Sequence, residues 1–377
     1  MKLIHTSDWH LGMSVGTGSY AGDQRYFLKQ LYDLIRREQV EAVLLCGDVY
    51  DSSVVNAEAI GIYNEAVTTL CMELGVKLIV IAGNHDSAPR LSSCRELLKG
   101  AGLYVTGRLE RDVEPVLLDG GKVAVYSLPF FGREEVTSLY PEEKERIRSQ
   151  ETATLAVCDH IREIMDREAF NIVLSHSLIV NAEISDSDRS ARVGFATAVS
   201  KDVFEGFDYV ALGHIHKPQV IAPHIRYSGS PLKYSFGGEE QQDKGVVLLD
   251  TEKRTQQFVV LEPLHDRKSI EGTYEEIIAR EDLKNDYLRI RVTDRYAGLD
   301  LISDLRERFP YVLEVYGKGL TENESLSALS VEELQTLDEG DIMEKFMAEN
   351  FSYSPTPEQS HLFREVLSWS REEGDLG

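Results

Sequence analysis

Five short islands of the chain carry oxygen or imidazole donors: Asp8-Trp9-His10, Gly47-Asp48, Gly83-Asn84-His85-Asp86, Ser175-His176 and Gly213-His214-Ile215-His216. Carboxylate, amide and imidazole groups bind divalent cations. Taken singly, the islands are weak signals. An Asp at a strand end usually caps the next segment, and a lone His after an apolar run is more often a satisfied core residue than a ligand. Taken together they are specific, because two carboxylates, one amide and four or five imidazoles would meet at one sheet edge. That set suffices for two metal ions, and paired ions hydrolyse phosphoesters. In an extended chain residues i and i+2 point the same way, so Asp8 and His10 are expected to face one ion, as are His214 and His216. Asp48 has two oxygens and can bridge two ions. With Asn84 as a neutral ligand, His85 is free to act as an acid, and Asp86 is placed to orient or charge it. Five of the ten histidines lie in these islands. The other five, His5, His160, His224, His265 and His361, have no partner pattern, and His5 is expected to pack or hydrogen-bond behind the site.

The elements before the islands have a consistent character. Lys2–Thr6, Ala42–Cys46, Lys77–Ile81, Asn171–Leu174 and Tyr209–Leu212 read as buried strands. Amphipathic helices are expected over Asp23–Glu38 and Asn56–Leu74, and a charged helical stretch over Pro141–Met165. Strands alternating with helices indicate an α/β domain. Val113–Leu118 and Lys122–Ser127 should form a hairpin turned at Asp119-Gly120-Gly121. Ile225–Ser228 and Gly245–Asp250 continue the strands, and several of the strands are hairpin-spaced, so the sheets should be mixed. The expected fold is a two-sheet β-sandwich flanked by helices. A boundary falls near Pro263–Ser269. After it come a strand at Tyr287–Val292, a helix at Leu299–Phe309 and a strand at Tyr311–Val315, a small α+β unit. Helices are expected over Val331–Asn350 and Pro357–Glu373, with an apolar stripe of Leu362, Phe363, Val366, Leu367 and Trp369. These two helices suit docking on another protein, or folding back on the chain's own surface.

The 377 residues are 42% hydrophobic and 28% charged, an ordinary globular composition. No apolar run approaches the roughly 18 residues needed to cross a bilayer. The first residues do not read as a signal peptide, since Asp8 and His10 interrupt the apolar stretch. Cys46, Cys71, Cys94 and Cys158 form no C-x-x-C pair, and reduced, mostly buried thiols of a cytoplasmic protein are expected. The net charge of −24 argues against a polyanionic substrate. Its distribution weakens the objection, because Thr321–Gly377 holds 14 acidic and three basic residues, a balance of −11. Bound cations would also reverse the sign at the ligand cluster.

The ordered set resembles the calcineurin-like metallophosphoesterase superfamily over residues 1–265. Within it, His5–Gly12, Gly83–Ser87, Tyr209–His214 and Tyr227–Leu232 are similar to the bacterial SbcD family of double-strand-break repair nuclease subunits. The resemblance implies two divalent ions, most commonly manganese. One would be held by Asp8, His10, Asp48 and His216, and the other by Asp48, Asn84, His176 and His214. His85 would stabilise the transition state or protonate the leaving 3′ oxygen. The implied activity is 3′–5′ double-strand exonuclease and single-strand or hairpin endonuclease action on DNA. The implied partners are an SMC-like ATPase, SbcC, docked through the C-terminal helices, and a second copy of the chain, docked through the helices at Asp23–Glu38 and Asn56–Leu74. The protein would be cytoplasmic and nucleoid-associated, with no membrane role. Residues 266–320 would be a DNA-capping domain, and 321–377 an acidic linker with helices for the ATPase. One departure from the superfamily is Ser175, where a Gly often precedes the metal His. Two other readings compete: a phosphodiesterase or phosphatase for small molecules or phosphoproteins, and a non-catalytic scaffold of an ATPase complex. The C-terminal third speaks against the first. The complete ligand set speaks against the second.

Overall fold

The computed structural model describes residues 1–15, 18–188, 198–296, 299–317, 356 and 359. The helices expected at Val331–Asn350 and Pro357–Glu373 lie outside the described residues.

The chain opens with β1 (Lys2–Thr6), a small hairpin of β2 (Ser14–Val15) and β3 (Gly18–Ser19), and helix α1 (Ala21–Glu38). Then come β4 (Ala42–Cys46), α2 (Ala57–Val67), β5 (Lys77–Ile81), β6 (Leu103–Thr106), β7 (Val116–Leu118) and β8 (Val123–Leu128). Helix α3 (Gln150–Ile164) leads to β9 (Phe170–His176), β10 (Tyr209–Gly213), β11 (Gln219–Ala222), β12 (Ile225–Tyr227), β13 (Gly245–Asp250) and β14 (Thr255–Val260). One six-stranded sheet has the order β14-β13-β1-β4-β5-β6, and a second has the order β11-β12-β10-β9-β8-β7. In the first, β1, β4, β5 and β6 run parallel. In the second, β8, β9, β10 and β12 run parallel. The hairpin-linked strands add antiparallel edges, so the sheets are mixed, as expected.

Alternation along the strands explains the layering. Leu3, Ala42, Leu44, Cys46, Ile79 and Ile81 form one buried cluster with Val125, Ile172, Leu174, Tyr209 and Ala211 of the second sheet. The intervening Ile4, Val43, Leu45, Leu78 and Val80 pack with Phe27, Leu31, Leu34 and Ile62 of α1 and α2. On the other side Tyr126, Val173, Val210 and Leu212 meet Ala153, Val157 and Ile161 of α3. Both faces of each sheet are therefore covered, and every residue of β4 and β10 is buried.

Two helices differ from expectation. The Asn56 side chain accepts from Ala59 N at 2.8 Å and starts α2, but the helix widens to a π-helical turn over Thr68–Glu73. The stretch expected to be helical from Pro141 is broken: after a 3₁₀ turn at Pro141–Glu143, α3 starts only at Gln150, where Ser149 and Thr152 form a capping box. Further strands at Arg267–Gly272, Tyr287–Val292 and Val312–Tyr316 form a three-stranded sheet, with a helix at Leu299–Arg308. The described residues divide into two compact units, one of Met1–Ile270 with Asp282–Arg289 and Phe309–Leu313, the other taking in Glu271–Glu281 and Ile290–Arg308. All four cysteines are free, and of these only Cys94 is exposed.

Candidate metal centre

The five islands sit at the carboxyl ends of β1, β4, β5, β9 and β10, and the two sheets approach closely there. A Cβ added at Gly213 would lie 1.8 Å from the Cys46 carbonyl oxygen, and one at Gly83 would lie 2.1 Å from Asp48 Oδ1. Only glycine permits such an approach.

The expected i, i+2 geometry does not apply to Asp8 and His10, nor to His214 and His216, expected to face one ion but found in different clusters of donors. The φ angles of Asp8 and His10 are 54° and 43°, and Asp48 has 48° and His214 98°. These are left-handed or otherwise sparsely populated conformations for residues with side chains. Asp8 and His10 thus share a tight turn after the strand, while buried Trp9 points into the core. The turn is held by Asp8 N donating to the Gly47 carbonyl (3.0 Å), His10 N to the Asp48 carbonyl (3.0 Å) and Leu11 N to the Val49 carbonyl (2.9 Å).

Two wholly buried groups of donors converge, Asp8, His10 and His216 in one and Asp48, His176 and His214 in the other, and a third, partly exposed, joins His10 to Asp51 and His85; ligand atoms lie within 4.8 Å of one another in each. His10 Nε2 is 3.1 Å from His216 Nε2. Asn84 Oδ1 is 3.0 Å from His176 Nε2 and 2.9 Å from His214 Nδ1. Asp48 Oδ2 lies between the groups, 3.8 Å from His10 Nε2 and 3.3 Å from His176 Nε2. All seven expected ligands are therefore brought together.

The electrostatics fit a cation. His176 Nδ1–H donates to the Cys46 carbonyl at 2.8 Å, which turns Nε2 towards Asn84, His214 and Asp48. Burial opposes charge on His176, yet the Asp48 carboxylate raises it to about 9. Burial, and then His176, push His214 down to about 3, which leaves a neutral ligand-ready imidazole. Burial would raise Asp48, but the imidazoles of His176, His10 and His85 hold it well below the usual carboxylate range. Two facing imidazole nitrogens, an amide oxygen and two buried carboxylates make a donor set suited to divalent ions with mixed N/O preference.

His85 is beside the centre, its ring centroid 4.9 Å from that of His10. The expected pairing of Asp86 with His85 is corrected by the structure. His85 Nδ1–H donates to the Asp51 carbonyl at 2.7 Å. Asp86 instead accepts three backbone amides: Val49 N (3.1 Å) and Gly83 N (2.9 Å) on Oδ2, and Tyr50 N (2.9 Å) on Oδ1. It ties the two metal-bearing loops together. Its carboxylate is fully engaged by these amides, so the imidazole finds its acceptor elsewhere. His85 contributes its backbone too, since its N–H donates to Asp48 Oδ1 at 2.9 Å.

His5 lies behind the site, Nδ1 2.9 Å from the Tyr209 hydroxyl and Nε2 3.1 Å from the Leu212 carbonyl. Ser175 Oγ is 2.7 Å from Ser177 Oγ, so the residue before His176 has a local partner. Phe130, 44% exposed, stands 6.3 Å and 6.4 Å from the His176 and His214 rings, on the rim of the centre.

Sequence reasoning missed an outer set. Asp51 Oδ1 faces His10 Nδ1 at 3.4 Å, and that nitrogen has no hydrogen-bond partner. Asp51 follows Asp48 by one turn, a signal the spacing could have given. Ser187, Asp188, Glu239 and Lys244 gather at His216, but no motif spans their separation. The Tyr234 hydroxyl lies 3.0 Å and 2.8 Å from the Asp8 and Trp9 carbonyls.

The family model described as calcineurin-like phosphoesterase matches residues 1–218, and one described as type 5 capsule protein repressor C-terminal domain matches residues 263–351. The chain is 32% identical over 376 residues to the SbcD subunit of the nuclease SbcCD of Staphylococcus epidermidis, covering 98% of both chains. It is 31% identical over 381 residues to the protein of the same name from Staphylococcus saprophyticus, covering 99% of this chain and 100% of that one. Among solved structures it is similar to a novel archaeal phosphodiesterase (TM-score 0.33, 15% identical, 69% of this chain and 100% of that chain). It is also similar to TT1561 of Thermus thermophilus (TM-score 0.40, 12% identical, 69% and 99%).

Proposed function

Since the chain belongs to the calcineurin-like phosphoesterase family, and with its staphylococcal relatives to the SbcD branch of it, we propose that it is the nuclease subunit of a DNA-processing complex. It is a metal-dependent phosphoester hydrolase. The observation that carries the reading is Asp48 Oδ2, set 3.3 Å from one imidazole group and 3.8 Å from the other. One ion would take Asp8, His10, Asp48 and His216, and the other Asp48, Asn84, His176 and His214, with manganese the metal of choice. Such ions supply Lewis acidity to the phosphoryl group and a nucleophile at neutral pH. The protein's own residues do the rest. Asp48 spans both positions, and His85 N–H and the Asp86 brace keep its carboxylate in place. His85 Nδ1–H is committed to the Asp51 carbonyl, so it is from Nε2 of the doubly protonated imidazolium that a proton would pass to the leaving 3′ oxygen, leaving the neutral ring. General acid help of this kind is worth about 10²–10⁴-fold.

The finer activities follow the family: 3′–5′ exonuclease action on duplex ends, endonuclease action on single strands and hairpins, and control by the ATPase SbcC. The acidic chain suits a protein that shares DNA binding with a partner. Residues 266–320 are read as a DNA-capping domain, 321–377 as the ATPase-docking segment, and α1 and α2 as the homodimer contact. Among the described residues no helix is long and apolar enough to cross a membrane, and the proposed compartment is the cytoplasm, with its DNA.

The test is one assay on purified protein with manganese, with and without SbcC and ATP, on linear duplex, hairpin DNA and a generic phosphodiester. Cleavage of DNA that SbcC and ATP enhance supports the reading. Turnover of the generic ester alone replaces it with a small-molecule phosphodiesterase. Truncation after Thr321 should abolish co-purification with SbcC while sparing cleavage of short single strands. A complex that survives the truncation refutes the docking assignment.

A further inference from the structure

His216 differs from His176 and His85 in what holds its far nitrogen. His176 Nδ1 is held by a backbone carbonyl of β4, and His85 Nδ1 by the Asp51 carbonyl. His216 Nδ1 is 2.6 Å from Ser187 Oγ, and the Ser187 hydroxyl in turn donates to Glu239 Oε1. Glu239 is fully buried, at 0% exposure. Its Oε2 accepts Tyr234 N at 2.7 Å and stands 3.6 Å from Lys244 Nζ. Lys244 is buried too, and donates to the His216 carbonyl at 2.7 Å and to Ser230 Oγ at 3.1 Å. Asp188 also lies near, but its Oδ1 accepts His216 N at 3.0 Å and its Oδ2 accepts Ser185 N at 2.5 Å. Asp188 therefore fixes the backbone of His216; its Oδ1 also stands 3.4 Å from Nδ1, but the ring's hydrogen bond goes to Ser187 at 2.6 Å and on to Glu239.

A carboxylate and an ammonium taken out of water are costly unless each is paired and hydrogen-bonded. Here both are satisfied, and both grip the same histidine, Glu239 at its ring through Ser187 and Lys244 at its carbonyl. We infer that Ser187 and Glu239 are positioning residues that lock His216 with its proton on Nδ1, so that Nε2 is presented to the ion shared with Asp8 and His10. The carboxylate–hydroxyl–imidazole relay serves one metal position only. The Asn84 position has its own support from β4. The inference rests on the two-ion reading of the centre and assigns the relay to one half of it. Such outer partners orient a ligand and raise its basicity, and losing one typically weakens metal binding about 10–100-fold.

The test uses the full chain, stripped of metal and titrated with manganese chloride in a calorimeter, with no DNA present. Glu239→Gln keeps the volume and can still accept Tyr234 N, but removes the charge. Ser187→Ala breaks the relay without leaving the Lys244 ammonium alone, and decides the matter should Glu239→Gln fail to fold. The expected result is two ions in the parent, and in the variants one ion weakened about 10–100-fold with the other unchanged. Combined with His216→Ala, Glu239→Gln should cause no further loss, because both act through the same imidazole. Equal weakening of both ions, unchanged affinity in folded variants, or additivity with His216→Ala would each overturn the relay. A parent that binds no manganese would overturn the metal centre as well, and neither outcome depends on DNA cleavage.

Discussion

Asp86→Asn separates a brace from a catalytic partner. In the native loop the carboxylate accepts Val49 N and Gly83 N on one oxygen and Tyr50 N on the other. An amide has one oxygen. Its better orientation keeps Val49 and Gly83 on that oxygen and sets the new NH₂ against Tyr50 N–H. One charge-assisted bond is lost and two donors oppose each other, a cost of about 1–3 kcal/mol. Burial, then the Asp48 charge, push the Asp86 carboxyl up to about 6. The surroundings thus oppose part of the charge that the amide removes, which places the cost at about 1–2 kcal/mol, the lower part of that range. For a cooperative unit of this size each kcal/mol is worth roughly 2–4 °C, so the melting temperature should fall by about 2–8 °C. The assay is a calorimetric melt with manganese and again with chelator, beside a pH–rate profile on a generic phosphodiester. The brace predicts a lowered melting temperature in both conditions and a pH–rate profile with its limbs in place. An unchanged melting temperature with a displaced limb would refute it and restore Asp86 as the group that charges His85.

His85→Ala should bind two manganese ions by elemental analysis and lose about 10²–10⁴-fold in kcat; a variant within a few-fold of the parent would remove His85 from the proton transfer. Asp48→Ala should lose both ions, because among the described residues no other side chain spans the two buried donor groups, and two ions retained per chain would contradict the bridge. The pH dependence of the metal-free protein should carry the mark of His5, which burial, then Arg226, push down to about 3. Its folded pKa is below the unfolded 6.5, so the unfolded chain takes the proton first. The contribution is complete above pH 6.5 and is lost as pH falls towards 3, at up to about 1.4 kcal/mol per pH unit. Urea unfolding at pH 7 and 4.5 should differ by about 2–3 kcal/mol from this group alone, and a His5 resonance that titrates near 6 in the folded protein would refute it.

Much of the centre was legible in the chain. The seven ligands were visible because each follows a buried strand, and parallel strands bring their carboxyl ends to one edge. Strand type was legible because a strand buried on both faces, such as Ala42–Cys46, reads as a short continuous apolar run closed by a turn residue. β6, β11 and β14 were missed: they are edge or hairpin strands, half of whose residues meet solvent or neighbours the pattern does not record. The break before α3 was missed because Ser149 and Thr152 stop the helix locally, inside a run whose composition stays helical.

The sequence by itself therefore determined the donor set, its order along the sheet and the reaction class that donor set serves. Tertiary structure decided how the donors are aimed. Asp8 and His10 converge through a left-handed turn held by the carbonyls of Gly47, Asp48 and Val49 after β4, not through strand alternation. The partner of His85 is a carbonyl three residues after Asp48, and the partner of Asp86 is the backbone of another loop. Glu239 reaches His216 across a chain separation no motif spans. In each case the donor type is a property of one residue. Its direction is a property of the hydrogen bonds made by groups distant in sequence, and those exist only once the two sheets have closed on each other.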